Sequence, residues 1–272
     1  MNRKYLYPLL IILVTVILYY AEGYVDKQNE AYPNTANVSG DYSSSEFDDT
    51  LLPTSTTGEI VRHAFYSLSY SETHEQAEWV AYPLIKKHLS RNDFERPYFV
   101  EDRKVSTKSA DWRNYKKSGY DRGHLCPAGD RRFNYEAYHE TFLTSNISPQ
   151  NHDFNSGVWN SLEQKVRFWA EKFDGVYVVT GGVLIEGLKG IGDEHVSVPE
   201  EFYKIILDAS DGKYKAIAFL IPNSPTDKSF YDYVVTIDRI EELTGIDFFP
   251  NLSKNVQEDL ERKIDLNVWG KR

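Results

Sequence analysis

Beyond residue 59 the apolar positions fall into short runs at 64–70, 79–84, 176–180, 202–207 and 214–221. These runs are rich in Val, Ile, Tyr and Phe and are bounded by Gly, Pro, Asp or Ser, a pattern that predicts strands. Residues 157–173 follow a different period. Trp159, Leu162, Val166, Trp169 and Phe173 recur at steps of three and four, while Glu163, Gln164, Lys165 and Arg167 lie off that stripe. This spacing predicts an amphipathic helix with one buried face. Shorter helices are predicted at 237–243 and 256–264. Because strands and helices do not alternate regularly, the pattern predicts an α+β domain of roughly 210 residues, not a doubly wound sheet.

The first 58 residues read differently. Arg3 and Lys4 precede an uncharged run of 17 residues, Tyr5 to Ala21, dominated by Leu, Ile, Val and Tyr. A basic start followed by an apolar run is what membrane targeting requires. Residues 1–23 are therefore expected to be a signal peptide or a retained membrane anchor, which places the remainder outside the cytoplasm. Residues 24–58 are rich in Ser, Thr, Asn, Asp and Gly and are expected to be a polar linker, because they bury too little surface to offset ordering entropy. The folded domain is expected at 59–272.

The composition, 41% apolar and 14% aromatic, suits a sizeable core and excludes disordered and polytopic membrane classes. A single cysteine, Cys126, excludes an intramolecular disulfide and cysteine-rich zinc frameworks. The net charge of −10 argues at first against a polyanionic partner. The distribution reverses that argument. Between Arg103 and Arg132 nine cations face three acids, a net of +6, which leaves −16 for the rest. Trp112, Tyr115 and Tyr120 interleave with these cations and could stack on bases or on arginines. Such a patch suits a phosphate backbone.

Inside it, Asp121-Arg122-Gly123-His124 sets a carboxylate, a guanidinium and an imidazole in four consecutive positions. A histidine near neutral pKa can take a proton from water, and an arginine can hold an anion. Downstream, NISPQ begins at Asn146, and Asn155 precedes Glu163 by eight residues at the start of the predicted helix. On a regular helix eight steps leave these two about 80° apart, so both could border one cleft. An amide oxygen is a hard neutral ligand suited to Mg²⁺, although an asparagine at a helix start is also a common N-cap.

DRGH, NISPQ and N-x-x-x-W-x-x-L-E, in this order and at these separations, closely resemble the non-specific DNA/RNA endonucleases of the ββα-metal (His-Me finger) group. The resemblance runs from about residue 58 to 252, through VYVVTGGVL, HVSVPEEFYKIIL and FLIPNSP. It implies a central, mostly antiparallel sheet flanked by helices, with DNA and RNA as substrates. It implies His124 as general base, Arg122 as a phosphate binder and Asn155 as the single direct protein ligand of Mg²⁺, with Mn²⁺ as an alternative. Glu163 and Asn146 would hold metal-bound waters and the surroundings of the histidine. An upstream arginine, Arg96 or Arg91, would stabilise the transition state. Arg113, Lys117 and Arg131 complete the expected substrate-binding set. A non-catalytic nucleic-acid-binding protein on the same fold is the alternative.

Overall fold

The computed structural model describes residues 13–15, 49–90, 92–210 and 213–270. Its contacts divide the chain into Met1–Ser43 and Ser44–Arg272. In the first unit only a helical turn at 13–15 is described, so the expected targeting segment falls almost wholly outside the described residues. Among the described residues no helix is long and apolar enough to cross a membrane.

The second unit is built on a seven-stranded sheet. Its strands are β1 (Ile60–Arg62), β2 (Ser67–Ser71), β3 (Gln76–Ile85), β6 (Gly175–Gly182), β9 (Glu201–Asp208), β10 (Lys215–Pro222) and β11 (Val234–Val235), in the order β1-β2-β3-β6-β9-β10-β11. Every pairing is antiparallel. A two-stranded hairpin pairs β4 (Asp121–His124) with β5 (Ile147–Gln150), and a smaller one pairs β7 (Gly190–Ile191) with β8 (Val196–Ser197).

Both faces of the large sheet are buried, so alternate residues of one strand belong to different cores. Val80, Tyr82 and Leu84 of β3 pack on one side with Val176, Val178, Phe202 and Ile206. Trp79 and Ala81 pack on the other with Tyr177, Val179, Tyr203 and Ile205. This explains why these strands read as nearly continuous apolar runs. The first face is covered by α2 (His152–Phe154), a π-helical stretch at Asn155–Trp159 and α3 (Asn160–Lys172); α1 (Tyr135–Glu140) precedes them in the chain. Leu162, Val166, Trp169 and Ala170 form the buried stripe of α3. The second face is covered by α4 (Ile237–Thr244) and α5 (Lys254–Arg262), followed in the chain by the short α6 (Leu266–Trp269).

Two boundaries differ from the expectation. The body begins before residue 59: Leu51 and Leu52 are buried, and Trp79 Nε1 donates to the Thr54 carbonyl at 2.8 Å. Polar composition concealed this, because the segment docks through two leucines and backbone hydrogen bonds. The long helix also begins earlier than residue 157. Asn151 caps it, its side chain accepting from the Asp153 and Phe154 backbones.

Candidate active site

Helix and hairpin meet where the sequence placed its chemistry. Asn155 lies four residues inside the capped start, and its backbone N–H donates to the Asn151 carbonyl at 2.9 Å. Its side chain is therefore not an N-cap. Its Nδ2 donates to Asp121 Oδ2 at 3.0 Å, and His152 Nδ1 shares the same oxygen at 2.9 Å. Giving its N–H to the carboxylate leaves the Asn155 oxygen with no donor among the described residues. Asn155 and Asp121 line a cleft of about 360 Å³ together with Arg96, Phe99, Tyr115, Tyr120 and Arg122. A free amide oxygen beside a half-exposed carboxylate is a hard donor set, which fits Mg²⁺ or Mn²⁺.

Arg96 and Arg122 enter the cleft without hydrogen-bond or ion-pair partners among the described residues. Aromatic rings hold them instead. The Arg122 guanidinium lies 5.3 Å from the Phe99 centroid and 5.3 Å from that of Trp112. Arg96 lies 5.7 Å from Phe99 and 5.5 Å from Phe142. Arg91 lies outside the described residues.

His124 stands behind these residues, not in the cleft lining. Its ring packs 5.6 Å from Phe99 and 5.0 Å from Phe142, and its Nε2 is buried without a partner among the described residues. Burial, reinforced by the Arg96 charge, holds its pKa down to about 3, so the imidazole is neutral near pH 7. Gly123 makes this strand possible. A Cβ there would sit 2.1 Å from the Gln150 side chain of the paired strand.

Asn146 is fully buried and straps the end of β4. Its amide accepts from Cys126 N at 2.8 Å and donates to the carbonyls of Cys126 and Thr141, each at 2.9 Å. It thus surrounds the histidine strand and makes no approach to the cleft. Glu163 also lies away from the cleft lining. Glu163 instead faces a polar cluster beneath the helix, where burial raises its pKa and the Lys204 ammonium partly offsets that rise. Lys204 is buried, lies 4.6 Å from the Trp159 ring and donates to Thr180 Oγ1. Asp130 completes the cluster, paired with Arg167 at 2.6 Å.

One expected substrate contact is corrected. Arg131 is fully buried, donating to the carbonyls of Phe65 and Pro83 at 3.1 Å and lying 4.7 Å from the Tyr82 ring. Those carbonyls need a donor in a dry interior, so this guanidinium serves the core and does not reach an external phosphate. Arg113 is exposed but paired with Asp111. Lys117 is exposed on a turn with φ of 60°. Among the aromatics, Tyr115 is buried, whereas Trp112 is 36% exposed and carries Arg113 as well as Arg122.

A sequence model of DNA/RNA non-specific endonucleases matches residues 43–255. The chain belongs to this family. It is 37% identical over 210 residues to the mitochondrial nuclease EXOG of Danio rerio, covering 71% of this chain and 61% of that protein. Against a nuclease of Nostoc sp. the identity is 35% over 217 residues, 74% of this chain and 76% of the relative. Against human mitochondrial endonuclease G it is 34% over 203 residues, 69% of this chain and 68% of the relative. The chain spans about three fifths of the EXOG relative's length. A chain in the crystal structure of the EndoG/EndoGI complex superposes with a TM-score of 0.67 at 30% identity, covering 72% of this chain and 88% of that one. The observed antiparallel sheet, hairpin and covering helix are the α+β, ββα-metal architecture of this endonuclease family.

Sequence reasoning gave Asp121 no separate role and missed Phe99 altogether. Asp121 acts across 34 positions on Asn155, a pairing that no local pattern encodes. Phe99 sits in RPYFVED, where its aromatic character gave the only signal.

Proposed function

We propose that this protein is a divalent-metal-dependent endonuclease that hydrolyses phosphodiester bonds of DNA and RNA without sequence specificity. The observation that carries this reading is a cleft in which two guanidiniums and one amide oxygen are left uncommitted, with a neutral imidazole directly behind. Arg122 and Arg96 bind the scissile phosphate through N–H donors that no acceptor among the described residues occupies. His124, neutral over the physiological range, takes a proton from the water that attacks phosphorus. The P–O bond to the departing sugar oxygen breaks as the new P–O bond forms. Asn155, whose Nδ2 is held by Asp121, would hold Mg²⁺ or Mn²⁺ through its amide oxygen, and Asp121 would keep that amide from flipping. Such an ion, when bound, neutralises phosphate charge and stabilises the leaving oxygen. Asn146 holds the histidine strand in place, and Glu163 sets the charge beneath the helix that bears Asn155. Contacts confined to phosphates carry no sequence information, which supports activity on either sugar. The basic start and apolar run at the N-terminus support an extracytoplasmic location.

The test is nicking of supercoiled plasmid and cleavage of a structured RNA by purified protein, with Mg²⁺ or with chelator. Both substrates are expected to be cut only with metal, and His124→Ala is expected to lose at least about a thousandfold in rate while remaining folded, with a melting temperature lowered by the cavity that the buried ring leaves. Intact substrates with the wild-type protein and Mg²⁺, alongside retained nucleic-acid binding, would instead identify a binding protein on this fold.

A further inference from the structure

The three groups assigned to the reaction, Arg96, Arg122 and His124, share one neighbour. The Phe99 ring lies 5.7 Å from the Arg96 guanidinium, 5.3 Å from that of Arg122 and 5.6 Å from the His124 ring. It also packs 5.2 Å from Phe142, which is itself buried. The backbone beside it is tied down: Val100 N donates to the Phe142 carbonyl at 3.2 Å, and Thr144 N donates to the Val100 carbonyl at 2.8 Å. The segment bearing Arg96 and Phe99 is thereby laid alongside the chain that leads through Asn146 into β5.

An arginine can be held in two ways. A carboxylate partner uses its N–H fork and neutralises its charge. An aromatic face attracts the cation through its quadrupole while leaving the donors at the edge of the guanidinium plane free. Arg96 and Arg122 have no carboxylate partner among the described residues and are held in the second way. Two like charges drawn toward one ring would otherwise splay into solvent. The Phe99 ring and its neighbours fix them while preserving their full charge for an anion.

We infer that Phe99 is a positioning residue that aims the two arginines and the histidine at the same phosphate. The inference rests on the proposed nuclease reading. Its test therefore includes a measurement that needs neither metal nor cleavage. In chelator, binding of a 12-nucleotide single-stranded DNA is measured for the wild type, Phe99→Leu and Phe99→Tyr; with Mg²⁺, kcat and KM are measured for the same proteins. Phe99→Leu keeps apolar bulk but removes the ring. It is expected to weaken oligonucleotide binding about fivefold and to lower kcat/KM about tenfold or more, with kcat falling because His124 is also released. Phe99→Tyr keeps the ring and is expected to stay within about twofold in both measurements. In an Arg122→Ala background the effect of Phe99→Leu on binding is expected to shrink to about twofold, since the ring acts through the guanidiniums. Should the leucine variant not fold, Phe99→Met supplies another ring-free side chain for the same comparisons.

The inference is overturned if ring-free variants bind and cleave like the wild type. It is equally overturned if Phe99→Tyr is as impaired as Phe99→Leu at an unchanged melting temperature, or if the leucine effect is undiminished in the Arg122→Ala background. A wild-type protein that binds the oligonucleotide but cuts nothing would refute the nuclease reading, and the binding arm would still decide the role of Phe99.

Discussion

Adding one methyl group at Gly123 probes why the middle of the strand that bears Arg122 and His124 carries no side chain. An ideal Cβ there would lie 2.1 Å from Gln150 Cδ and Oε1 and 2.4 Å from Cγ. Carbon contacts are optimal near 3.5–4.0 Å, so the strands would have to separate or Gln150 would have to move by more than about 1 Å. Gln150 has little freedom to yield, because it is fully buried and its Cγ, close to the backbone, is among the clashing atoms. Overpacking of this kind destabilises by about 1–3 kcal/mol. Gln150→Ala alone should be nearly neutral. It loses apolar contacts, but it also removes a buried amide with no hydrogen-bond partner among the described residues, whose burial is unfavourable by about 1–3 kcal/mol. The double variant should then recover most of the Gly123→Ala loss, a coupling of about 2 kcal/mol. Urea unfolding followed by tryptophan fluorescence gives all three stabilities by linear extrapolation. Nicking rates should follow the same order, because the displaced strand carries Arg122 and His124 on either side of the glycine. A Gly123→Ala protein as stable and active as the wild type would refute the steric argument, as would a double variant no better than Gly123→Ala alone.

His63 lies between Asp102 at 2.8 Å and Glu140 at 3.8 Å, nearly inaccessible to solvent. Burial alone would lower its pKa, but the two carboxylates outweigh burial and raise it above 6.5. Its stabilisation is thus complete below pH 6.5 and is lost as pH rises through the raised value, so the margin of the wild type over His63→Gln in urea unfolding should narrow from pH 5.5 toward pH 8.5. Asn146→Ala removes three buried hydrogen bonds and should destabilise by about 3 kcal/mol or more, a drop of roughly 6–12 °C in calorimetric melting temperature. Single-stranded DNA binding in chelator should weaken with salt at a logarithmic slope of about −1.4, as expected for two phosphate-contacting guanidiniums, and a slope near −6 would mean that the whole basic segment is engaged.

What the sequence revealed and what it hid divide along contact range. The strands at 79–84, 176–180, 202–207 and 214–221 and the stripe from Leu162 to Trp169 were legible because periodicity is local and the core imposes it. DRGH and NISPQ were legible as local motifs that carry the family resemblance; that they pair, with His124 opposite Ile147, was not. Asn155 was ambiguous on its residues alone, and only the resemblance pointed to a metal ligand. An asparagine at a helix start is usually a cap, and only the position of Asn151, together with a carboxylate 34 residues upstream, shows that this one is not.

Charge counting failed at the same limit. A net of +6 between residues 103 and 132 treats every cation as equally available, whereas Arg131 is consumed by carbonyls in the core, Arg113 by Asp111 and Arg132 by Asp93 and a backbone carbonyl. The positive charge that faces the cleft, beside the Asp121 carboxylate, comes from Arg122 and from Arg96, which lies outside that segment. Both are held by rings, not carboxylates, so their charge is not neutralised by the protein that positions them. A small number of unneutralised guanidiniums around a concave, partly dry surface generates a stronger local field than a larger number spread over an exposed face. An acidic chain with a pI of about 5.2 can therefore present a phosphate-binding cleft without a basic exterior.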